Sequence, residues 1–216
     1  MGIHVGNKHN DQLGLWMFIA VIIITTAVFL WTSAHYQRDN ASLDTHVDAQ
    51  GQLHVLGITL AQTSLKQAEN ILQSKSDVAL YIYPQKHEKE GRKLEAFFPA
   101  IADHTKVILL LDMSRQNLDL LESDATIPHL YPNNVVRMNL AADDRRGLDQ
   151  AIVRELTLIP SVVVSAENLK ARFGEPDLVE SMPTYAVYHY KSIGLQARLN
   201  KQEPPSLHFR NPTKMP

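Results

Sequence analysis

At 216 residues the chain is long enough for one ordinary domain, or two small ones, once any targeting segment is set aside. Its 21 Lys and Arg are interspersed with 23 Asp and Glu, a formal charge of -2, and no basic stripe of the kind that tracks phosphates is present, so nucleic acid is not expected as a partner. The chain contains no cysteine, which excludes disulfides, thiolate zinc sites, iron–sulfur clusters and a lipidated cysteine without fixing the compartment.

In chain order, residues 1–12 form a leader, and Leu13 to Trp31 reads "LGLWMFIAVIIITTAVFLW", nineteen residues without a charge. A helix rising ~1.5 Å per residue would carry such a run across a ~30 Å hydrocarbon core, so a single transmembrane helix over 13–33 is expected, with the lipid bilayer as its partner. Leu13, Trp16, Phe18, Ile22, Phe29 and Trp31 are its anchoring side chains, the tryptophans near the two ends where indole rings favour the headgroup level. Thr25 and Thr26 can return their hydroxyls to the helix backbone. A cleaved secretory leader ending at Thr32-Ser33-Ala34 is the competing reading. The apolar run exceeds the ~7 to 15 residues of such leaders and only Lys8 precedes it, which favours an uncleaved anchor. Lys8 on one side and Arg38 on the other nearly balance the positive-inside rule; the short leader favours a bacterial inner-membrane protein with its C-terminal domain in the periplasm.

Residues 34–52 are polar, end beside Gly51 and read as a tether. A first unit is expected over 53–140, a second over 141–210 and a loose tail over 211–216. Leu53–Leu60 reads as a strand, and Ser64–Gln73 as a helix opened by a Ser64/Gln67 capping box, with Leu65, Ala68, Ile71 and Leu72 on one face. Strands follow at Val78–Tyr83, Leu94–Phe98 and Lys106–Asp112. The last, "VILLLD", is apolar on both faces and is assigned to the middle of a sheet covered on both sides. Ser114–Ser123 is helical in pattern, Val135–Leu140 extended, Arg145–Val153 helical behind Asp143 and Asp144, and Arg154–Ile159 extended. Ser165–Phe173 forms a helix that Gly174 ends as a left-handed cap, with Pro176 two residues later. Tyr185–Lys191 and Ile193–Asn200 make a hairpin whose second strand buries Ile193, Leu195, Ala197 and Leu199, and Leu207–Arg210 adds a short edge strand.

Ser64, Ala68 and Leu72 recur 101 residues on as Ser165, Leu169 and Phe173, and Leu94, Ala96 and Phe98 recur as Leu195, Ala197 and Leu199. Two α-β-β units are implied. The fold class is therefore α+β: one transmembrane helix, then a soluble domain of two α-β-β-like units with a mainly antiparallel sheet. In the second unit Ser165, Leu169, Phe173, Gly174 and Pro176, followed by "YHY" and "GLQARL", form a series that resembles the SmpA/OmlA domain, the small lipoprotein of the outer-membrane assembly machine. The likeness covers roughly 40 residues. The first unit departs from it by carrying Gln73 where the glycine stands, and the chain departs from it in having an apolar helix where the family has a lipidated cysteine. "GITLAQTSLKQAENIL" and "LTLIPSVVVSAENLKARFGEPD" also resemble a group of membrane-anchored proteins of Gram-negative bacteria, a likeness that implies a compartment and a fold and no activity.

Chemical signatures are sparse. The ten histidines show no HxH, HxxH or HExxH spacing, so no metal site is expected, and the absence of Walker, G-x-S-x-G and G-x-G-x-x-G patterns leaves no cofactor and no enzyme activity expected. Asp143 to Arg146 reads as a solvated helix start, and Glu175 and Asp177 as polar residues of a helix stop. Tyr81, Tyr83, Tyr185, Tyr188 and Tyr190 are the candidate contact residues for a protein partner, since tyrosines on two hairpins of one sheet can supply rigid amphipathic area. The expected role is that of a non-catalytic, membrane-anchored scaffold or accessory subunit of a larger inner-membrane complex, with a membrane-protein partner and no small-molecule substrate. A periplasmic ligand-binding or envelope-stress and assembly sensor module is the alternative.

Overall fold

The structure is a computed structural model that describes residues 17, 21–26, 45–87, 89–101 and 104–212. The chain divides into two compact units, residues 1–40 and 41–216. In the first, Met17 and residues 21–26 are helical, and the Thr25 hydroxyl donates to the carbonyl oxygens of Val21 and Ile22 at 2.6 and 3.1 Å, the return bond expected of it. Among the described residues no helix is long and apolar enough to cross a membrane. Of the anchor residues only Ile22 is described, helical and solvent-exposed; Leu13, Trp16, Phe18, Phe29 and Trp31, and most of the expected span, lie outside the described residues.

The second unit is mixed α/β, and every strand pairing in it is antiparallel. A small sheet forms from β1 (Thr45–Val47), β2 (Leu53–Val55) and β3 (Ile58–Thr59). β1 lies inside the stretch expected as a tether. The predicted strand Leu53–Leu60 is a hairpin instead, because Leu56 and Gly57 both take positive φ (54° and 78°) in the two-residue turn that joins β2 to β3. A side chain at Gly57 would meet Ile71 Cγ2 at 3.1 Å. α1 (Leu65–Ile71) follows, with both halves of the expected Ser64/Gln67 capping box in place.

The main sheet has ten strands. β4 (Asp77–Tyr83), β5 (Gly91–Phe98) and β6 (Lys106–Leu111) form a meander; α2 (Arg115–Asp124), capped by Ser114, leads to β7 (Thr126–Leu130) and β8 (Val136–Asn139). The helix expected over Arg145–Val153 is shorter and earlier: α3 (Ala142–Gly147) passes into a 3-10 turn, and Val153 already belongs to β9 (Val153–Ile159). α4 (Ala166–Phe173) precedes β10 (Leu178–Ser181), β11 (Tyr185–Tyr190), β12 (Leu195–Asn200) and β13 (Ser206–Arg210). Across the sheet the order is β10-β11-β12-β13-β9-β6-β5-β4-β8-β7. β13, expected at an edge, is interior, paired to β12 on one side and β9 on the other.

Alternation along the strands divides the sheet into two unlike faces. Leu80, Leu94, Leu109, Leu156, Leu195 and Phe209 are fully buried on one face. Leu94, Leu109, Leu156, Leu195 and Phe209 form a single core with Leu65 and Ala68 of α1, Leu121 of α2, Leu169 of α4, and Leu53, Val55 and Ile58 of the small sheet. The opposite face carries the half-exposed residues of the same strands, Ile108, Leu110, Thr157 and His208 among them. "VILLLD" is thus correctly interior to the sheet, but only Val107, Leu109 and Leu111 are covered; Ile108 and Leu110 face an open hollow.

Candidate functional site

The stretch "FGEPD" resolves into structure. Ser165 caps α4, with Asn168 closing a second capping box; Leu169 is buried and Phe173 packs its ring 5.8 Å from that of Tyr190. Gly174 does take a positive φ of 84°, but its ψ of -165° makes it an extended-type stop rather than the left-handed cap expected, a conformation nearly confined to glycine. Pro176 follows. Glu175 pairs with Lys170 at 2.9 Å, and Asp177 accepts the Lys191 backbone N–H at 2.6 Å, so both acids hold the helix-to-sheet junction.

The five tyrosines do not make one patch. Tyr81 and Tyr83 lie on the open face of β4, rings 6.2 Å apart. Tyr185 is on the same face of β11, under the Arg198 guanidinium at 4.1 Å, whereas Tyr188 and Tyr190 turn to the core side. Five strands separate β4 from β11, and at ~4.8 Å per strand the two groups stand nearly 30 Å apart. The open face is instead organised by cross-strand rows, which sequence reasoning missed because strand order alone assembles them. One row runs Glu95, Leu110, Glu155, Arg210; another runs Phe97, Ile108, Thr157, His208, Gln196, His189.

Over β9, where the two halves of the sheet meet, these rows line a hollow of about 490 Å³. Its charged residues are Lys89, Lys93, Arg154, Arg198 and Arg210 against Glu155, a cationic excess on a chain whose formal charge is -2. A second hollow, about 650 Å³, adjoins it and shares Tyr83, Lys89 and Ile108. At their junction Glu95, almost fully buried, accepts the Tyr83 hydroxyl and the Lys89 ammonium, both at 2.9 Å. Burial first, and then the Glu95 charge, push the Tyr83 phenol far above its ordinary value. Burial also raises Tyr81, against the opposing pull of Arg137.

Thr157, His208 and Glu155 form a hydrogen-bonded chain: the Thr157 hydroxyl lies 3.0 Å from His208 Nδ1, and His208 Nε2 lies 3.2 Å from Glu155. The sequence of groups is that of a nucleophile, base and acid. β9 is bonded on both sides, by β6 and β13, so its backbone N–H groups are engaged in ladders rather than grouped to hold an oxyanion. Burial works to raise Glu155, yet the His208 hydrogen bond and the charges of His208, Arg154 and Arg210 outweigh it and lower its pKa. The chain joins Thr157, His208 and Glu155 in the lining of the hollow, beside which Arg210 Nε is buried without a hydrogen-bond partner. Among the described residues no group of three His, Asp or Glu is placed to hold a metal ion.

Because the folded-state pKa of Glu155 is depressed, its ion pair stabilises the domain above the ordinary glutamate value of 4.5 and that contribution is lost as pH falls through the lowered value. Glu69, whose bonds from Lys75 and Ser76 outweigh the opposing effect of burial, has the same sign. The expected melting temperature is flat from pH 7 to about pH 5 and falls below about pH 4. Glu155→Gln lowers the plateau by about 1–2 kcal/mol and makes the acid limb shallower; an acid limb unchanged by that substitution would show that Glu155 is not bound as described.

Comparison of the chain with models of known protein families, with curated proteins and with solved structures returned no match. The fold and site therefore define a class by geometry: a mixed α/β protein whose ten-stranded antiparallel sheet is covered on one face and presents a cationic, aromatic hollow on the other.

Proposed function

We propose that the chain is a membrane-anchored, non-catalytic accessory protein of a bacterial inner-membrane complex, with its domain in the periplasm and the open sheet face as its contact for an acidic surface of that complex. The observation that carries this reading is the composition of the open face. Tyr81, Tyr83, Phe97, Ile108 and Leu110 supply apolar area, and Lys93, Arg154, Arg198 and Arg210 supply the cationic part, a combination enriched where proteins meet.

The two halves are read as duplicated α-β-β units. α1 and α4 each precede an antiparallel meander whose last strand pairs with β9 in the same register, Leu109 and Phe209 opposite Leu156, Val107 and Leu207 opposite Leu158. The correspondence supports duplication of the two units, at an offset of 100 residues in these strands against 101 in the helices.

Crosslinking of the full chain in native membranes, followed by mass spectrometry, tests the proposal. A stoichiometric membrane partner linked to lysines 89 and 93 is expected, and Lys93→Glu with Arg154→Glu should cut its recovery tenfold or more, since like charges across an interface cost several kcal/mol. Recovery of the protein always alone, or a partner indifferent to the charge reversal, would overturn it. The buried Arg210 Nε without a partner favours a second reading, an anionic ligand in the hollow over β9. Saturable stabilisation by a small anion, lost in Arg210→Gln, would distinguish it.

A further inference from the structure

The antiparallel ladders bring several loops to one end of the main sheet, because Phe98, Lys106, Ile159, Asn200 and Ser206 stand at matching ends of their strands. The segments 99–105, 160–164 and 201–205 lie there, together with the 182–184 turn between β10 and β11. At the other end the β4–β5 hairpin turns through Lys86, Lys89 and Glu90, as a solvated loop does. The first end is different. Val162 and Val163 are 67% and 90% exposed, and Met182 is 47% exposed.

One exposed apolar residue needs no explanation; a group gathered at one end of a sheet does. The three belong to one surface. Val162 and Val163 line a shallow hollow with Lys201, Pro204 and Pro205. Lys201 in turn fastens the 182–184 turn, its backbone N–H donating to the Thr184 carbonyl at 3.1 Å and its ammonium to the Pro183 carbonyl at 2.8 Å. Pro160, Pro183, Pro204 and Pro205 each fix a backbone angle in these loops, so the apolar side chains are presented with little freedom left to lose on contact.

The path of the chain singles out the same end. Thr45, the first described residue of the domain, lines one cavity with Ile101 and Val162 to Val164. Residues 34–44 separate it from the span expected in the sequence, and at ~5–6 Å × √n a flexible stretch of that length covers roughly 20 Å. The charges agree as well. His104, Lys106 and Lys201 stand against Glu203 in the hollow beside the valines, and a lysine can lay its stem on apolar surface while its ammonium reaches lipid phosphates.

We propose that this end of the domain is a lipid-docking tip, with Val162, Val163 and Met182 entering the headgroup region of a phospholipid bilayer and Lys106 and Lys201 at the level of the phosphates. Docking of this kind rests on the membrane-anchored reading above, since two valines and a methionine hold a surface weakly unless a tether keeps them beside it. Strands β9, β12 and β13 then stand end-on to the bilayer. The open sheet face looks sideways along the membrane, toward a neighbour in the same bilayer.

A chain without cysteine accepts single-cysteine reporters cleanly. Val163→Cys, Met182→Cys, Gln85→Cys in the opposite hairpin and Ile23→Cys in the expected span each carry a bimane fluorophore, in the full chain at one copy per phosphatidylcholine nanodisc. Quenching by doxyl-labelled phosphatidylcholine is then measured. The Val163 and Met182 probes should be quenched at least threefold more than the Gln85 probe. Val162→Asp should bring the Met182 probe down to the Gln85 level and leave the urea midpoint unchanged, because Val162 is exposed. An Ile23 probe quenched beside a Val163 probe that behaves like Gln85 would overturn the docking and leave the anchor standing. If neither were quenched, the anchor reading would fall and the docking with it. A Val163 probe shielded from iodide in water yet untouched by the labelled lipid would mean that protein covers it, and lipid docking would be overturned equally.

Discussion

Gly194→Val is expected to destabilise the domain by about 2–5 kcal/mol, read as a fall in the urea midpoint at constant slope. Gly194 sits between a 3-10 turn and β12 in the left-handed region, φ 58° and ψ 27°, where a side chain with a β carbon costs about 1–2 kcal/mol before any contact is counted. Contact then adds more. A Cβ there would stand 1.8 Å from the carbonyl oxygen of Arg210 and 3.0 Å from its carbon. Both are backbone atoms, so no rotamer change relieves the overlap. The same pair of residues is already joined by the Arg210 N–H donating to the Gly194 carbonyl at 3.0 Å. Relief requires β13 to move away from β12, and β13 also carries Leu207 and Phe209 into the core and pairs them with Leu158 and Leu156 of β9. Gly147→Ala is the control: its φ is -72°, nothing lies within 4 Å of the added carbon, and it should be neutral or stabilise by up to about 1 kcal/mol. If Gly194→Val melted with the wild type, the close approach of β12 to β13 would be refuted.

That close approach also shows what kind of information the sequence carries. Elements whose signal is local were legible: the Ser64/Gln67 capping box, the Ser114 and Ser165 caps, the stop at Gly174 and Pro176, and the alternation of β12 all follow from side chains within a few residues of one another. Elements whose identity depends on a distant neighbour were not. β13 has the length of an edge strand and reads as one; only the arrival of β9 from 47 residues earlier in the chain makes it interior. "VILLLD" has the composition of a strand covered twice over, and one of its faces is open, so its excess apolar area belongs to the hollow instead of a second core layer. The tyrosines failed as a patch for the same reason. Their period within each strand was plain, but the five intervening strands that part Tyr81 from Tyr185 are a property of topology. The site residues Lys93, Glu155, Arg198, His208 and Arg210 are each unremarkable polar positions on alternating strands. Their shared signal is that every one occupies the non-core parity of its strand, which becomes meaningful once the strand order is known.

Asn211→Leu is expected to cost about 2–4 kcal/mol although the two side chains are close in size, because the asparagine is a hydrogen-bonding bolt and the leucine is only a filler. Expected from sequence in a loose tail, Asn211 is 4% exposed. Its Oδ1 accepts the Leu53 N–H at 2.8 Å, and its Nδ2 donates to Gln52 Oε1 at 2.9 Å and to the Leu60 carbonyl at 3.5 Å. Leu53 is fully buried, so its N–H has no water to turn to, and an orphaned buried donor carries a penalty of about 1–3 kcal/mol. The consequence spreads beyond one bond, since these contacts fasten the end of β13 to the β2–β3 hairpin, whose Leu53, Val55 and Ile58 roof the core. Asn211→Asp separates hydrogen bonding from shape. The new carboxylate keeps the acceptor for Leu53 but turns an oxygen toward the Leu60 carbonyl and Gln52 Oε1, so burial and repulsion raise its folded pKa above the unfolded value. Its penalty is therefore largest at neutral pH and shrinks as the solution is taken through that raised value toward pH 4, where a protonated carboxyl can donate again. The leucine variant should show no such recovery. Equal losses for the two substitutions at every pH would mean that Asn211 holds the hairpin by packing, and that the three polar contacts contribute nothing measurable.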